Sequence, residues 1–249
     1  MSAHKIVVVY QSLLGIYGDQ GNGLVLTKRL QWRGIDAELV IVEPGTPMPD
    51  DGLVYLLGGG EDQAQIAAVT ELQRDHGMLR ALDRGAVLFA VCAGYQILGH
   101  SFTVGEHEEV RCGLGILDVD TRRGPKRAVG EILSQLTLPD GSSTLLSGYE
   151  NHAGYTELGA DAKPLAKVIR GVGNGLDGHD GATQGNIFAL YPHGPVLPRN
   201  PALADALLER ALGAALPPLD HPVEEAHRQL RERRIHVART TKNLTDATR

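Results

Sequence analysis

The hydrophobic and polar residues of this chain follow two patterns in turn, one typical of buried strands and one typical of amphipathic helices. Short runs of β-branched and other apolar residues, each ended by glycine or proline, predict buried strands. Between them, apolar residues recur every three or four positions, which predicts amphipathic helices, one of them a single long helix that stops at Gly85. Strands are predicted at 5–11, 35–44, 53–60, 86–91 and 186–191, and helices at 24–34, 61–85 and 202–213.

The order of these elements predicts the fold class. Strands separated by helices favour an α/β fold, a mostly parallel sheet flanked by helices. The glycine-rich middle, from about 101 to 186, carries short strand-like pieces and a loose loop, so it predicts added antiparallel edge strands. We divide the chain into a main domain, 1–215, and a C-terminal charged helix and tail, 216–249. The last ten residues, TTKNLTDATR, are expected to be disordered.

Composition narrows the function classes. The formal net charge of -6 gives no general attraction to nucleic acid or to an anionic membrane. No segment has the roughly 20 uninterrupted apolar residues of a transmembrane helix, and the start, MSAHKIVVVYQSLL, predicts a core strand and no signal peptide. We expect a cytoplasmic protein with two reduced cysteines. H-E-x-x-H and C-x-x-C spacings are absent, so we expect no metal site.

One cysteine stands where a strand gives way to a helix. In FAVCAGYQILGH, residues 89–100, Cys92 follows the apolar run and precedes Ala93 and Gly94. A sharp turn there exposes the sulfur beyond the strand, the following helix N-terminus favours the thiolate, and the N–H of Ala93 faces a developing oxyanion. A buried structural cysteine is the commoner alternative, so a nucleophile needs further partners.

Two further segments supply such partners. GGGEDQAQ, residues 58–65, follows a buried strand, and its glycines expose the backbone N–H groups of Gly59 and Gly60 for an oxyanion hole. LYPHGP places His193 after another strand, in position to take the thiol proton and return it to a leaving amine. Each segment alone is explained as well by a flexible turn or by a surface histidine.

The sequence resembles the class I (triad-type) glutamine amidotransferases. It shares with them a nucleophilic cysteine at a strand-to-helix turn, a glycine-rich strand end that supplies the oxyanion hole, and a histidine late in the chain. GGGEDQAQ and AVCAGYQILG are most similar to the cobyric-acid-synthase branch. The resemblance is closest to the glutamine-hydrolysing (GatD) subunits of lipid II isoglutaminyl synthases, and it extends to about residue 213. It is carried by IYGDQGN, TRRGPKRAVGE, SGYENHAG, GVGNG and YPHGPVLPRNP.

The resemblance implies a glutaminase that converts L-glutamine to glutamate and ammonia. Cys92 matches the family nucleophile, His193 the base, and Arg127 the arginine that holds glutamine, a role that suits bidentate binding of a carboxylate. It also implies a heterodimer with a MurT-like, ATP-dependent Mur ligase subunit that uses the ammonia to amidate the D-glutamate α-carboxyl of lipid II to D-isoglutamine in peptidoglycan synthesis. ATP and Mg²⁺ are expected on that partner and no cofactor in this chain, which lacks G-x-x-x-x-G-K-[ST]. The resemblance further implies that the chain is cytoplasmic and meets lipid II through the partner, at the inner face of the membrane.

One position departs from the family pattern. Many triad amidotransferases carry a glutamate two residues after the histidine, where this chain has Pro195. The site therefore works as a Cys–His dyad or takes its orienting acid from elsewhere in the chain. Asp19, in IYGDQGN, and Glu150, in SGYENHAG, are the two candidates, although the first is also typical of a helix cap and the second of an edge-strand surface.

Three other functions stay open on the sequence. A cobyric-acid-type amidotransferase subunit shares the elbow, but that branch is normally fused to a P-loop synthetase domain. A stand-alone γ-glutamyl cysteine hydrolase needs no partner. A non-catalytic binding subunit is the third, and the intact Cys92 and His193 argue against it.

Overall fold

One mixed sheet of eleven strands, flanked by eight helices, makes up residues 3–175 and 177–241, which are the residues that this computed structural model describes. The strands are β1 (His4–Val9), β2 (Ala37–Val42), β3 (Gly52–Leu57), β4 (Val87–Val91), β5 (Ser101–Val104), β6 (Glu109–Cys112), β7 (Val119–Thr137), β8 (Ser143–Leu158), β9 (Lys163–Arg170), β10 (His179–Gln184) and β11 (Ile187–Leu190). The helices are α1 (Gln11–Leu14), α2 (Gln20–Gln31), α3 (Asp62–Arg74), α4 (Gly77–Asp83), α5 (Ala93–Leu98), α6 (Val196–Arg199), α7 (Pro201–Leu212) and α8 (Val223–Thr240). Within these residues, no helix is both long and apolar enough to cross a membrane.

The parallel half of the sheet has the strand order β2-β1-β3-β4-β11. One of its inner strands, β4, is buried along its whole length, as its continuous apolar run predicts for a strand covered on both faces. β4 pairs in parallel with β3 on one side and with β11 on the other. The carboxyl ends of these three strands therefore meet at one edge, where reactive groups collect in open α/β sheets.

The other half of the sheet continues from β11 through β10, β9 and β7 to β5 and β6, with β8 also paired to β7. The pairs β11–β10, β10–β9, β9–β7, β7–β8 and β5–β6 are antiparallel. The predicted fold class, a mostly parallel sheet flanked by helices with added antiparallel strands, is confirmed. Of the predicted short pieces, PLAKVIR is confirmed as the short strand β9, whereas LGILDVDT and TLLSGYEN fall on two long strands, β7 and β8, which pair almost end to end. Their ladder is interrupted only where the register shifts between Arg123 and Ala128.

The single long helix predicted over 61–85 is wrong, because the chain breaks into α3 and α4 at Asp75 and His76. Asp75 has an extended backbone, with φ -119° and ψ 111°. Its carboxylate accepts the N–H of Gly77 at 2.8 Å and the N–H of Met48 at 2.6 Å. These bonds restart the helix after the break, so a local aspartate overrides the continuous helical periodicity.

Helix α8 packs on the main body of the chain. Ile235 and Ala238 contact Leu133 and Leu145 on β7 and β8. The guanidinium of Arg29, on α2, is almost fully buried and donates to Asp205 on α7 and to Glu224 on α8. The division at residue 215 stays a prediction. Of residues 240–249, which were expected to be disordered, Thr240 is instead the last residue of α8, and 242–249 lie outside the described residues.

Candidate active site

The sharp turn predicted at Cys92 is present at the end of β4. Cys92 has φ 51° and ψ -106°, a conformation rare for a residue with a Cβ, and α5 starts at the next residue. The backbone is fixed on both sides, since the N–H of Cys92 donates to Leu190 at 2.9 Å and that of Gly94 to Gly58 at 3.0 Å. A Cβ on Gly94 would lie 2.7 Å from the carbonyl oxygen of Leu57, so this close approach requires glycine. Strain held by neighbouring strands is typical of functional sites.

His193 lies against this turn, just beyond β11. Its backbone exchanges two hydrogen bonds with Tyr149 of β8, at 2.8 Å and 3.1 Å, which fix the ring's position. Nε2 makes no well-aligned hydrogen bond to any described residue, so it is available to the Cys92 sulfur, which is near enough to act on the ring electrostatically. Loose geometry between nucleophile and base is common before substrate binds.

The electrostatics of the site favour a charged His193. Burial of the imidazole lowers its pKa, but the negative charge of Cys92 and the hydrogen bond that Nδ1 donates to Asp19 outweigh burial and raise the pKa of His193 to about 10. The imidazolium is therefore the stable form at neutral pH whenever Cys92 is a thiolate. A thiolate–imidazolium pair is the reactive state of a cysteine nucleophile.

Of the two candidate acids, the structure brings Asp19 to His193. Oδ2 of Asp19 lies 3.3 Å from Nδ1 of His193 and accepts the N–H of Gly59 at 2.8 Å. Asp19 is 4% exposed, so water screens this contact little. Its position directly before α2 would also suit a helix cap, but its side chain makes no capping hydrogen bond.

Glu150 is placed elsewhere, so its candidacy as the acid on His193 is not supported. Although it is fully buried, its carboxylate accepts the N–H groups of Val172 at 2.9 Å and Gly173 at 3.0 Å. Its nearest histidine is His152, whose Nε2 lies 3.6 Å from Oε2. Glu150 follows Tyr149, whose backbone pairs with His193, but the N–H groups of Val172 and Gly173 hold its carboxylate elsewhere. The edge-strand surface reading of Glu150 is also wrong.

Of the three predicted oxyanion donors, Gly59, Gly60 and Ala93, the structure contradicts one and leaves the other two as predictions. The N–H of Gly59 already donates to Asp19, so it does not point at the substrate and is not an oxyanion donor here. A Cβ on Gly59 would lie 2.4 Å from Cε1 of His193, so this glycine makes room for the imidazole. Gly60 lines the same pocket as Cys92, and Ala93 starts α5 directly after the nucleophile. Gly60 and Ala93 remain as the predicted donors.

Arg127 lines the pocket next to Cys92, at the irregular part of β7. Its Nε donates to Oδ1 of Asn151 at 2.8 Å. Nδ2 of Asn151 donates in turn to the hydroxyl of Tyr17 at 3.1 Å. Arg127 and Cys92 therefore line the same pocket, although they are 35 residues apart in the sequence.

The pocket residues that the sequence analysis missed include four polar side chains joined by hydrogen bonds to one another or to Arg127 and Tyr191: Tyr17, Gln65, Gln96 and Asn151. Nε2 of Gln65 donates to Oε1 of Gln96 at 2.6 Å, and Nε2 of Gln96 reaches the hydroxyl of Tyr191 at 3.4 Å. All four missed residues lie inside segments already quoted for the resemblance, which is the signal that could have identified them. Their spacing alone carries no sign that they share one pocket.

The second cysteine lies outside this pocket. Both cysteines are free thiols, and Cys112 is exposed on β6. Across residues 3–175 and 177–241, no group of three or more His, Cys, Asp or Glu side chains is arranged to hold a metal ion.

Comparison with known proteins places this geometry in a family. A family model described as the CobB/CobQ-like glutamine amidotransferase domain matches residues 5–201. The chain is 32% identical over 213 residues to the GatD subunit of lipid II isoglutaminyl synthase (glutamine-hydrolyzing) of Staphylococcus aureus, which covers 84% of this chain and 85% of the relative. It is 34% identical over 193 residues to the cobyric acid synthase of Sphingopyxis alaskensis, but this match covers 74% of the chain and only 36% of that protein.

A solved structure of a glutamine amidotransferase has the same fold, with a TM-score of 0.54 at 22% identity, over 83% of this chain and 98% of that one. The resemblance to the cobyric-acid-synthase branch inferred from GGGEDQAQ and AVCAGYQILG is confirmed by the family model and by both relatives. This chain belongs to the CobB/CobQ-like glutamine amidotransferase family.

Proposed function

We propose that this chain is the glutamine-hydrolysing subunit of a lipid II isoglutaminyl synthase, with Cys92 as nucleophile and His193 as general acid and base. The observation that carries the proposal is the meeting of Cys92, His193 and Asp19 at one edge of the sheet, beside a pocket that also contains Arg127. The similarity to the GatD subunit over most of both chains supports the lipid II assignment.

The first half of the reaction forms a thioester. Glutamine binds with its α-carboxylate at Arg127 and its side-chain amide over Cys92. The thiolate attacks the amide carbon, and the N–H groups of Gly60 and Ala93 donate to the oxyanion that forms. The C–N bond then breaks as the imidazolium of His193 gives its proton to the departing nitrogen, so ammonia leaves and a γ-glutamyl thioester remains.

The second half uses the change in charge that the first half causes. In the thioester, Cys92 no longer carries a negative charge, which is the largest influence that raises the pKa of His193. The imidazole therefore holds its proton less tightly and is suited to act as a base on water. Water attacks the thioester carbon, its proton passes to His193, and the C–S bond breaks to release glutamate and the thiolate. Asp19 positions Nδ1 of His193 throughout.

The ammonia has to reach an acceptor before it is protonated by bulk water, so the pocket mouth is expected to be covered by a second subunit. We infer a heterodimer with a MurT-like Mur ligase subunit that holds ATP and Mg²⁺ and amidates the α-carboxyl of D-glutamate in lipid II. The complex would be cytoplasmic and would meet lipid II at the inner face of the membrane, in peptidoglycan synthesis and maintenance of cell shape.

The test measures glutamate release from glutamine, together with amidation of lipid II by mass spectrometry. Three samples are compared: this chain alone, this chain with the MurT-like subunit, and the Cys92→Ser variant of this chain with the MurT-like subunit. Cys112→Ser is the matched control, since this thiol is exposed and outside the pocket. We expect both products with the partner, neither product with Cys92→Ser, and full activity with Cys112→Ser.

Other outcomes identify the alternative functions. Full glutamate release without a partner, and no lipid II amidation with one, indicates a stand-alone hydrolase. Glutamate release coupled only to a corrinoid-amidating synthetase indicates the cobyric-acid-type function. Failure of glutamate release under every condition indicates a binding subunit and overturns the proposal.

A further inference from the structure

Tyr17 touches two parts of the site at once. Its ring lies over the imidazole of His193, with centroids 4.2 Å apart and planes inclined at 37°. Its hydroxyl accepts a hydrogen bond from Nδ2 of Asn151, whose Oδ1 accepts one from Arg127. The contacts therefore run without a gap from the predicted substrate-holding arginine to the predicted base.

The hydrogen-bond directions in this chain of contacts are fixed by chemistry. A guanidinium only donates, so Arg127 requires the oxygen of the Asn151 amide to face it. The amide nitrogen of Asn151 then faces Tyr17 and donates to it. A phenolic hydroxyl has one proton to give, and neither of these contacts uses that proton. Because Tyr17 lines the pocket, its proton is available to an acceptor bound there.

The hydroxyl stays protonated under physiological conditions. Burial raises the pKa of Tyr17, and the negative charges of Cys92 and Glu61 raise it further, whereas Arg127 opposes this rise. A neutral tyrosine beside an arginine is a suitable pair for a carboxylate, since the arginine supplies charge and the hydroxyl supplies a directed donor.

The segment that carries Tyr17 also carries Asp19. Gly18 separates them with φ 74°, a left-handed conformation that glycine adopts without strain. As a result, two neighbouring side chains reach the same imidazole, Asp19 at Nδ1 and Tyr17 on the ring face. A shift of this segment on substrate binding would move both contacts of His193 together.

We propose that the hydroxyl of Tyr17, held by Asn151, donates a hydrogen bond to the α-carboxylate of glutamine beside Arg127, and that its ring transmits this binding to the position of His193. The inference rests on the proposed glutaminase function and adds a specificity-determining residue to it. It predicts that removing the hydroxyl weakens the binding of glutamine, which has the α-carboxylate. The binding of an analogue without this carboxylate should not change.

The test compares glutamine with 4-aminobutanamide, which is glutamine without its α-carboxylate. The variant Tyr17→Phe keeps the ring contact with His193 and removes only the hydroxyl. With the partner subunit present, we expect it to raise the KM for glutamine roughly 10- to 100-fold, as for loss of a hydrogen bond to a charged group. The inhibition constant of 4-aminobutanamide against glutamine should change by no more than about twofold, because this ligand never used the hydroxyl.

Two further variants separate the roles of ring and amide. Tyr17→Leu also removes the ring contact, so we expect it to lower kcat in addition to raising KM. Asn151→Ala removes the amide that donates to the Tyr17 hydroxyl and holds it in place. We therefore expect this variant, like Tyr17→Phe, to raise the KM for glutamine. Tyr155→Phe is the matched control, because this β8 tyrosine lies outside the glutamine pocket and next to Gly124 and Gly175.

The inference is overturned if Tyr17→Phe leaves the KM for glutamine unchanged. It is also overturned if the variant weakens glutamine and 4-aminobutanamide equally, since a merely structural defect would do this. Both results leave the proposed function intact as long as the unmodified chain hydrolyses glutamine. Loss of that wild-type activity is instead the failure of the proposed function.

Discussion

Nδ1 of His193 lies 3.3 Å from Oδ2 of Asp19, although 174 residues separate the two in the chain. We propose that this contact takes the place of the glutamate that the resemblance predicts two residues after the histidine, where this chain has Pro195. It is made by the segment that follows β1, near the start of the chain, which the parallel arrangement of β1, β3, β4 and β11 brings to the same edge as the histidine. Because Asp19 also accepts the N–H of Gly59, its position is fixed by backbone as well as by the imidazole.

We expect Asp19→Asn to lower kcat about 100-fold or more, with little change in the KM for glutamine. The amide keeps the size of the carboxylate but removes its charge, and an amide nitrogen facing Nδ1 selects the wrong imidazole tautomer. Loss of this charge also lowers the pKa of His193, so the alkaline limit of glutaminase activity should move to lower pH. A pH profile of kcat tests both effects, with the exposed Asp36→Asn as control. An unchanged kcat would mean that the site works as a Cys–His dyad.

Glu150→Gln should act on stability and leave the pH profile unchanged. The Glu150 carboxylate is buried and accepts the N–H groups of Val172 and Gly173. Replacing it by an amide leaves at least one of these donors poorly matched, at a cost of about 1–3 kcal/mol in the free energy of unfolding. Urea denaturation measures this cost. A pH profile displaced like that of Asp19→Asn would contradict the assignment of the orienting acid.

The pKa of His193 should depend on the state of Cys92. The charge of Cys92 is the largest influence that raises this pKa to about 10, well above the ordinary histidine value of 6.5. With the thiolate present, the imidazolium therefore persists below about pH 10 and is lost above it. Alkylation of Cys92 with iodoacetamide removes the charge while burial continues to lower the pKa, so His193 should titrate well below pH 10.

This titration is followed by NMR through the Cε1 proton of His193. A Cys112→Ser background limits alkylation to Cys92, the other free thiol. The pH at which the signal shifts is compared before and after alkylation. The same value in both samples would show that the thiolate does not control His193, and it would remove the basis for the change of role between the two half-reactions.

Arg29→Met should destabilise the protein by about 3 kcal/mol, because it leaves the partly buried carboxylates of Asp205 and Glu224 without their common partner. The loss should also loosen α8 and increase its cleavage by proteases. Arg228→Met is the control: it removes ion pairs to Glu225 and Glu232 on the exposed side of the same helix and should have little effect. Thermal unfolding and limited proteolysis of both variants decide this prediction, and equal behaviour would contradict it.

The sequence by itself determined the core strands and the family to which their motifs belong. The continuous apolar runs specified parallel core strands, because only a strand covered on both faces can be apolar at every position. The glycines around Cys92 indicated a turn at the end of a strand, and the motifs in chain order indicated the family. These inferences succeeded because each depends on neighbouring residues.

Only the tertiary structure decided which distant groups meet. Asp19 and Glu150 had equal standing in the sequence, and Gly59 and Gly60 are adjacent, yet one member of each pair was placed differently from the prediction. The break at Asp75 likewise depends on its bond to Met48, 27 residues away. Hydrogen bonds across such distances are set by strand order and by the direction of individual side chains. Neither property is contained in local spacing, so the orienting acid, the oxyanion donors and the contact of Tyr17 with His193 required the folded chain.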